Sequence, residues 1–133
     1  MSEPGSLNDI VKYWIEKSRE SFASAKGEFA AGRLSFAVNR LYYSCFYLAS
    51  AILLKNGRKF KKHSGVRAAF HQNFVKPGFV DLKYGLLYDE LFEARQRGDY
   101  IELVRFEAKQ VEGWLALTRE FLEKMGQLFQ KNL

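Results

Sequence analysis

Apolar residues at Leu7, Ile10, Val11, Trp14, Ile15, Phe22, Ala25 and Phe29 recur at steps of three and four, one stripe of an amphipathic helix. Ser6 or Asn8 is placed to cap its start, and Gly32 is a natural stop. The next segment, Leu34–Lys55, is apolar on nearly every face, with Gly57 just past its end. A helix without a polar face belongs in the middle of a bundle. Asn56–Lys62 reads as a basic loop, and His63–Lys76 as a shorter helix ended by Pro77-Gly78. Asp81–Arg97 is amphipathic through Leu82, Leu86, Leu87, Leu91 and Phe92 and stops at Gly98. Finally, Ile101–Leu128 carries Leu103, Phe106, Val111, Trp114, Leu117, Phe121, Leu122, Met125 and Leu128 at near-heptad spacing. No strand alternation, internal repeat or low-complexity stretch competes with these patterns. The expected fold is all-α, an up-and-down antiparallel helical bundle of about five helices, three long and two shorter. It forms one domain over residues 1–133, with its core from about residue 8 to residue 128. The last helix is longer and more apolar than a small bundle needs, so part of its face, or of the first helix, is expected to close a homodimer.

Composition narrows the class. A chain of 133 residues with 47% hydrophobic and 27% charged residues and two prolines can build one ordered core and not a second. The longest apolar stretch, Cys45–Leu54, is about half a bilayer span and is broken by Ser50, so no membrane-crossing helix is expected. The N-terminal MSEPGSLND lacks the basic-then-apolar order of a secretory signal. The single cysteine, Cys45, makes no internal disulfide and suits a reduced cytoplasm. One cysteine and two histidines do not supply a dedicated zinc site, and no phosphate-cradling glycine loop, nucleophile elbow or HExxH pair is present. Neither a metal nor another cofactor is expected.

The net charge of +6 matters less than its distribution. No Asp or Glu occurs from Phe29 to Val80, a span that holds Arg33, Arg40, Lys55, Arg58, Lys59, Lys61, Lys62, Arg67 and Lys76. Both histidines, His63 and His71, fall in the same span. Such one-sidedness reads as a surface for something anionic, nucleic acid first, with a membrane face or an acidic partner protein behind it. A lysine-rich loop kept basic for solubility is the plainer reading.

Three places could carry chemistry. In the second helix Asn39 and Arg40 interrupt an apolar run, and Arg40, Tyr43 and Tyr47 share one side at i, i+3 and i+7. An arginine fork beside phenol rings suits a phosphate or a base. The alternative is a buried arginine paired with a carboxylate of a neighbouring helix, for which Asp99 is a candidate. Next, KNGRKFKKHSGVRAAFH gathers Lys55, Arg58, Lys59, Lys61 and Lys62 ahead of His63, and a helix starting near His63 aligns it with Arg67 and His71. Histidine beside cations suits acid–base work on a phosphodiester, or phosphate contact; helix capping by His63 or Ser64 is the structural alternative. In ARQRGDYIE, Arg95 and Tyr100 flank a turn, while Asp99 with Glu102 has the spacing of a capping box for the last helix. Asp89 and Glu93, four apart on one helical face, read as a solvated surface.

The run Ala37-x-x-Arg40-x-Tyr42-Tyr43-x-x-Phe46-x-x-Ala49, the following His63-Ser64-Gly65 with FVKPG, and the later Arg95-x-x-Gly98-Asp99-Tyr100 together resemble the HEPN domain family, its small stand-alone prokaryotic branch in particular. The resemblance runs from about Ile10 to Leu122. It implies a helical bundle, a homodimer with a cleft between subunits, and a minimal nucleotidyltransferase partner in a toxin–antitoxin pair. Many members are metal-independent ribonucleases whose site is an Arg followed four to six residues later by His. Here Arg95 matches the Arg, but Tyr100 stands where the His is expected. A phenol, with an ordinary pKa near 10, is a poor general base at neutral pH, so the catalytic motif reads as degenerate. Arg58-x4-His63 meets the spacing formally. The resemblance therefore leads to an RNA- or nucleotide-binding protein, with Arg40, Tyr43, Asp99, Lys55, Arg58, Lys59, Lys61, Lys62 and Arg67 as binding candidates. An active ribonuclease using Arg95 with His63 or Tyr100, or a purely protein-docking module, are the alternatives.

Overall fold

The computed structural model describes residues 7–58, 63–100 and 105–131, with the side chains of all of these except 63, 64, 99, 100, 130 and 131. The element order is α1 (Leu7–Ala30), α2 (Leu34–Lys55), α3 (His63–Phe70) running into a π-helical turn (His71–Val75), α4 (Leu82–Tyr100) and α5 (Ala108–Lys131). Among the described residues there is no strand, and no helix is long and apolar enough to cross a membrane.

α2 is the axis of the bundle. It packs against α1, α3, α4 and α5, and it buries twelve residues, from Ala37 to Leu54. Its all-round apolar composition leaves no other place for it, since each large apolar side chain buried is worth about 1.5–3 kcal/mol. The α1–α2 hairpin closes where the sequence places a stop. Gly32 takes φ +80, and the Gly32 and Arg33 amides bond back to the Phe29 and Glu28 carbonyls, a left-handed terminus that only glycine enters cheaply. Gly57 (φ +79) ends α2 in the same way, with Gly57 and Arg58 donating to Leu54 and Leu53. The two helices approach closely across small residues. Ser18 Oγ donates to the Ser44 carbonyl (2.7 Å), Ser44 Oγ to the Ser18 carbonyl (3.0 Å) and Ser21 Oγ to the Arg40 carbonyl (2.6 Å). These pairings, 18 with 44 and 21 with 40, run in opposite directions and make the hairpin antiparallel. On the far side Trp114 Nε1 donates to Glu90 Oε2 (3.0 Å) and Tyr84 OH to Glu120 Oε1 (2.7 Å), tying α5 to α4.

Two helix boundaries differ from the sequence reading. α4 does not stop at Gly98 but continues to Tyr100. A glycine inside a helix costs only about 1 kcal/mol relative to alanine. Here its missing side chain makes room for the Phe106 ring, which a Cβ at Gly98 would meet at 3.2 Å. α5 starts at Ala108, with residues 105–107 outside any helix. Asp99 therefore belongs to the last turn of α4 and stands nine residues before α5, not at its N-cap, while Glu102 lies outside the described residues. The segment after His63 is also not one uniform α-helix. At His71 it widens, and the Lys76 amide reaches back five residues to the His71 carbonyl (2.8 Å).

Candidate functional site

The second helix presents Arg40, Tyr43 and Tyr47 on one side, as their spacing requires. With Lys17, Glu20, Ser21 and Ser24 of α1 they line an open groove of about 330 Å³. Arg40 is exposed, and no carboxylate pairs with it among the described residues. Its Nη1 donates to Asn39 Oδ1 (2.7 Å) and its Nε to Ser24 Oγ (3.2 Å). The reading of Arg40 as a buried ion-paired arginine is thus corrected: neutral oxygens hold the guanidinium at the surface with its charge uncancelled by contact. Tyr47 stacks on Trp14 of α1 (ring centroids 5.4 Å apart), extending the groove into an aromatic wall.

Arg95 reaches the same place from α4. Its Nη2 donates to the Tyr43 hydroxyl (3.2 Å), and its guanidinium carbon lies 4.9 Å from the Tyr42 ring centre and 5.2 Å from that of Tyr43. At Tyr43, Arg95 therefore meets the groove that Arg40 lines, although the sequence separates the two arginines by 55 positions. Tyr42 beneath Arg95 is fully buried, and burial pushes its phenol up to about 12 although Arg95 opposes the shift.

A second cluster stands on α3 and α4. Asp89 Oδ1 accepts from Arg67 Nη1 (2.7 Å) and from His71 Nε2 (2.9 Å). The Arg67 guanidinium lies over Phe92, 4.0 Å from the ring centre, and Phe92 packs tilted against Tyr42 at 6.0 Å. Two rings, Phe92 and Tyr42, thus separate the Arg67 and Arg95 guanidinium groups. Gly85 lets the histidine in, since a Cβ there would stand 2.8 Å from His71 Cε1 and 3.2 Å from the Val75 methyls. Asp89, read from sequence as part of a solvated face, is instead the shared anion of this cluster. Arg67, expected as an open phosphate contact, is engaged by a carboxylate and a ring. Only the i, i+4 spacing of Arg67 and His71 signalled this site. Its carboxylate lies 18 residues on, and no local rule points to it.

The other basic candidates lie elsewhere. Lys55 is fifteen residues along α2 from Arg40, roughly 22 Å at 1.5 Å per residue, and Arg58 follows it at an exposed position. Lys59, Lys61 and Lys62 fall outside the described residues, as do the side chains of His63, Asp99 and Tyr100. The backbone places His63 at the first residue of α3, and Asp99 and Tyr100 in the last turn of α4, the helix that carries Arg95.

Comparison with known proteins decides the family, because a model of the HEPN domain matches residues 11–128. The chain belongs to the HEPN domain family. It is similar to a UPF0332 protein of Thermotoga maritima, 45% identical over 91% of this chain and 92% of the relative. It is also similar to two Methanocaldococcus jannaschii proteins: Putative toxin MJ0142, 32% identical over 90% of this chain and 82% of the relative, and Putative toxin MJ0605, 32% identical over 71% and 70%. In this HEPN domain Arg95 is held by two tyrosines of the central helix, and the residue five positions on is Tyr100.

Proposed function

We propose that this HEPN protein binds RNA or a nucleotide in the cytoplasm. Its site is the face formed by Arg40, Tyr43 and Arg95, and it acts as the toxin half of a pair with a minimal nucleotidyltransferase. The observation that carries this reading is the convergence of two guanidinium groups at Tyr43: Arg95 lies over its ring and bonds its hydroxyl, and Arg40 lines the same open groove as Tyr43 and Tyr47. Guanidinium forks take phosphate oxygens, and exposed aromatic faces take bases of any sequence. The acid-free stretch from Phe29 to Val80 adds a long-range positive field, and the relatives named as toxins support the toxin role. A homodimer would bring two such faces to one cleft, with Asp99, Lys55, Arg58, Lys59, Lys61, Lys62 and Arg67 as flanking contacts.

RNA binding through cations must weaken with salt in proportion to the phosphates neutralised. Titration of labelled single-stranded RNA at several salt concentrations should give a steep log–log slope, and Arg40→Ala should flatten it by about one contact. An affinity indifferent to salt would refute the reading.

The second reading is an active metal-independent ribonuclease. What favours it is the anchorage of Arg95 on α4 by Tyr43, which holds a guanidinium in place of the kind that stabilises charge on a phosphorane. His63, or less readily Tyr100, would then move the proton.

A further inference from the structure

Arg40 and Glu20 bring opposite charges to one open groove, and among the described residues they do not pair with each other. Neutral oxygens of Asn39 and Ser24 hold Arg40. Glu20, the one carboxylate on the groove's lining, meets only the loose charge of Lys17, whose Nζ lies 3.9 Å away. A pair that long, with the Glu20 side chain 72% exposed, stabilises the fold little, so Glu20 can turn to a ligand at small cost. Arginine only donates hydrogen bonds and an ionised carboxylate only accepts them. The groove therefore suits a molecule with an anion at one end, N–H donors at another, and a flat face for the Tyr43 and Tyr47 rings, whose centres are 5.8 Å apart. From Arg40 to Tyr47 the groove follows seven residues of α2, roughly 10 Å at 1.5 Å per residue. Its volume of about 330 Å³ has room for one nucleotide.

We infer that this groove selects guanine, as a free nucleotide or as an unpaired residue of RNA, with Glu20 reading the base. Arg40 takes the phosphate, the Tyr43 and Tyr47 rings lie against the base, and the Glu20 carboxylate accepts from its Watson–Crick edge. The inference rests on the reading of the site as one for RNA or a nucleotide, and it names the base that the site prefers. Guanine presents N1–H and the N2 amino group side by side, two donors for the two oxygens of one carboxylate. Adenine and cytosine each present a single amino group beside an acceptor nitrogen, and uracil a single N–H between two carbonyls. Opposite a carboxylate, each of those neighbouring acceptors is repelled. Only an unpaired base leaves this edge open, so within RNA the guanine is single-stranded. Arg40 and the rings treat all four bases alike, because every nucleotide has a phosphate and a π-face. Glu20 is thus the specificity-determining residue of the groove.

The test titrates the purified full-length chain with GMP, AMP, CMP and UMP by calorimetry. IMP is added because it keeps N1–H and lacks the N2 amino group. GMP should bind about tenfold or more tightly than AMP, CMP or UMP, with IMP between them. Glu20→Ala should level GMP with AMP while keeping the melting temperature, as suits an exposed side chain, and Glu20→Gln, with one acceptor left, should fall between. Arg40→Ala should weaken all five nucleotides alike. A parallel arm measures, by anisotropy, short labelled single strands that carry one guanine, one inosine or one adenine at the same position. Guanine preference in the strands but not among the mononucleotides identifies RNA as the source, and the reverse identifies the free nucleotide; either supports the inference. Equal binding of all bases in both arms overturns it, and if that binding is steeply salt-dependent the RNA-binding reading stands. A guanine preference that survives Glu20→Ala overturns it as well. Absence of binding to every nucleotide and every strand removes the inference and the RNA-binding reading together.

Discussion

Replacing Arg95 by alanine removes a guanidinium that covers two aromatic rings and donates to a phenol oxygen. Each partly exposed cation–π contact contributes about 0.5–1 kcal/mol. The hydrogen bond, long at 3.2 Å, adds at most about 1 kcal/mol. Arg95→Ala should therefore cost about 2 kcal/mol, which lowers the melting temperature of a domain this size by roughly 6–8 °C. Tyr43→Phe keeps both stacks and loses only the hydroxyl, so it should cost about 1 kcal/mol or less. If the contact exists in solution, the double variant costs less than the sum of the single ones by about 0.5–1 kcal/mol. Urea unfolding of the four proteins, with equal slopes, measures that coupling. Additivity within about 0.3 kcal/mol would refute the hydrogen bond from Arg95 to the Tyr43 hydroxyl. The result also governs the functional assays. A variant that has lost 2 kcal/mol must be compared with the wild type well below its melting range, and Tyr43→Phe is the milder probe of the same face.

Two further perturbations follow from the packing and the buried ionisable groups. Gly85→Ala gains about 1 kcal/mol of helix propensity and meets the His71 ring and Val75 at a site where overpacking costs about 1–3 kcal/mol. Urea unfolding should thus show a change between zero and about 2 kcal/mol destabilising, with the His71 imidazole NMR signals displaced. A stabilised variant with unmoved signals contradicts the close approach. Alkaline pH should unfold the protein from the inside, because burial pushes the Cys45 thiol from an ordinary 9.0 up to about 12 and the Tyr42 phenol up to about 12. Above pH 9 the unfolded chain releases a proton that the folded chain keeps. The stability present below pH 9 is therefore lost as the pH rises toward 12, at about 1.4 kcal/mol per unit for the thiol alone. The Tyr84 and Tyr88 phenols, also raised by burial, add to the loss at higher pH. Unfolding measured across this range should slope less in Cys45→Ala, and an unchanged slope would show that the thiol is not held protonated.

The order and most ends of the helices were written locally. Leu34–Lys55 announced itself as the central helix because it has no polar face, and it occupies that place. Gly32 and Gly57 marked real ends because each needs a left-handed backbone, whereas Gly98 did not, because its role is to admit Phe106 from outside the helix. The HEPN resemblance rested on motifs of neighbouring residues and held for the same reason. What pairs with what was settled only by the tertiary structure. The sequence put Arg40, Tyr43 and Tyr47 on one side of a helix, yet could not say whether that side faced a carboxylate or water. Packing against Ser21 and Ser24 of α1 left it facing water. Arg95 joined Tyr43 across 52 positions, and Asp89 left its expected solvated face for Arg67 and His71. Periodicity is set by the 3.6-residue turn of a single helix and can be read along the chain. Ion pairs and ring stacks depend on how far each helix is rotated against its neighbours, and only the assembled core fixes that angle.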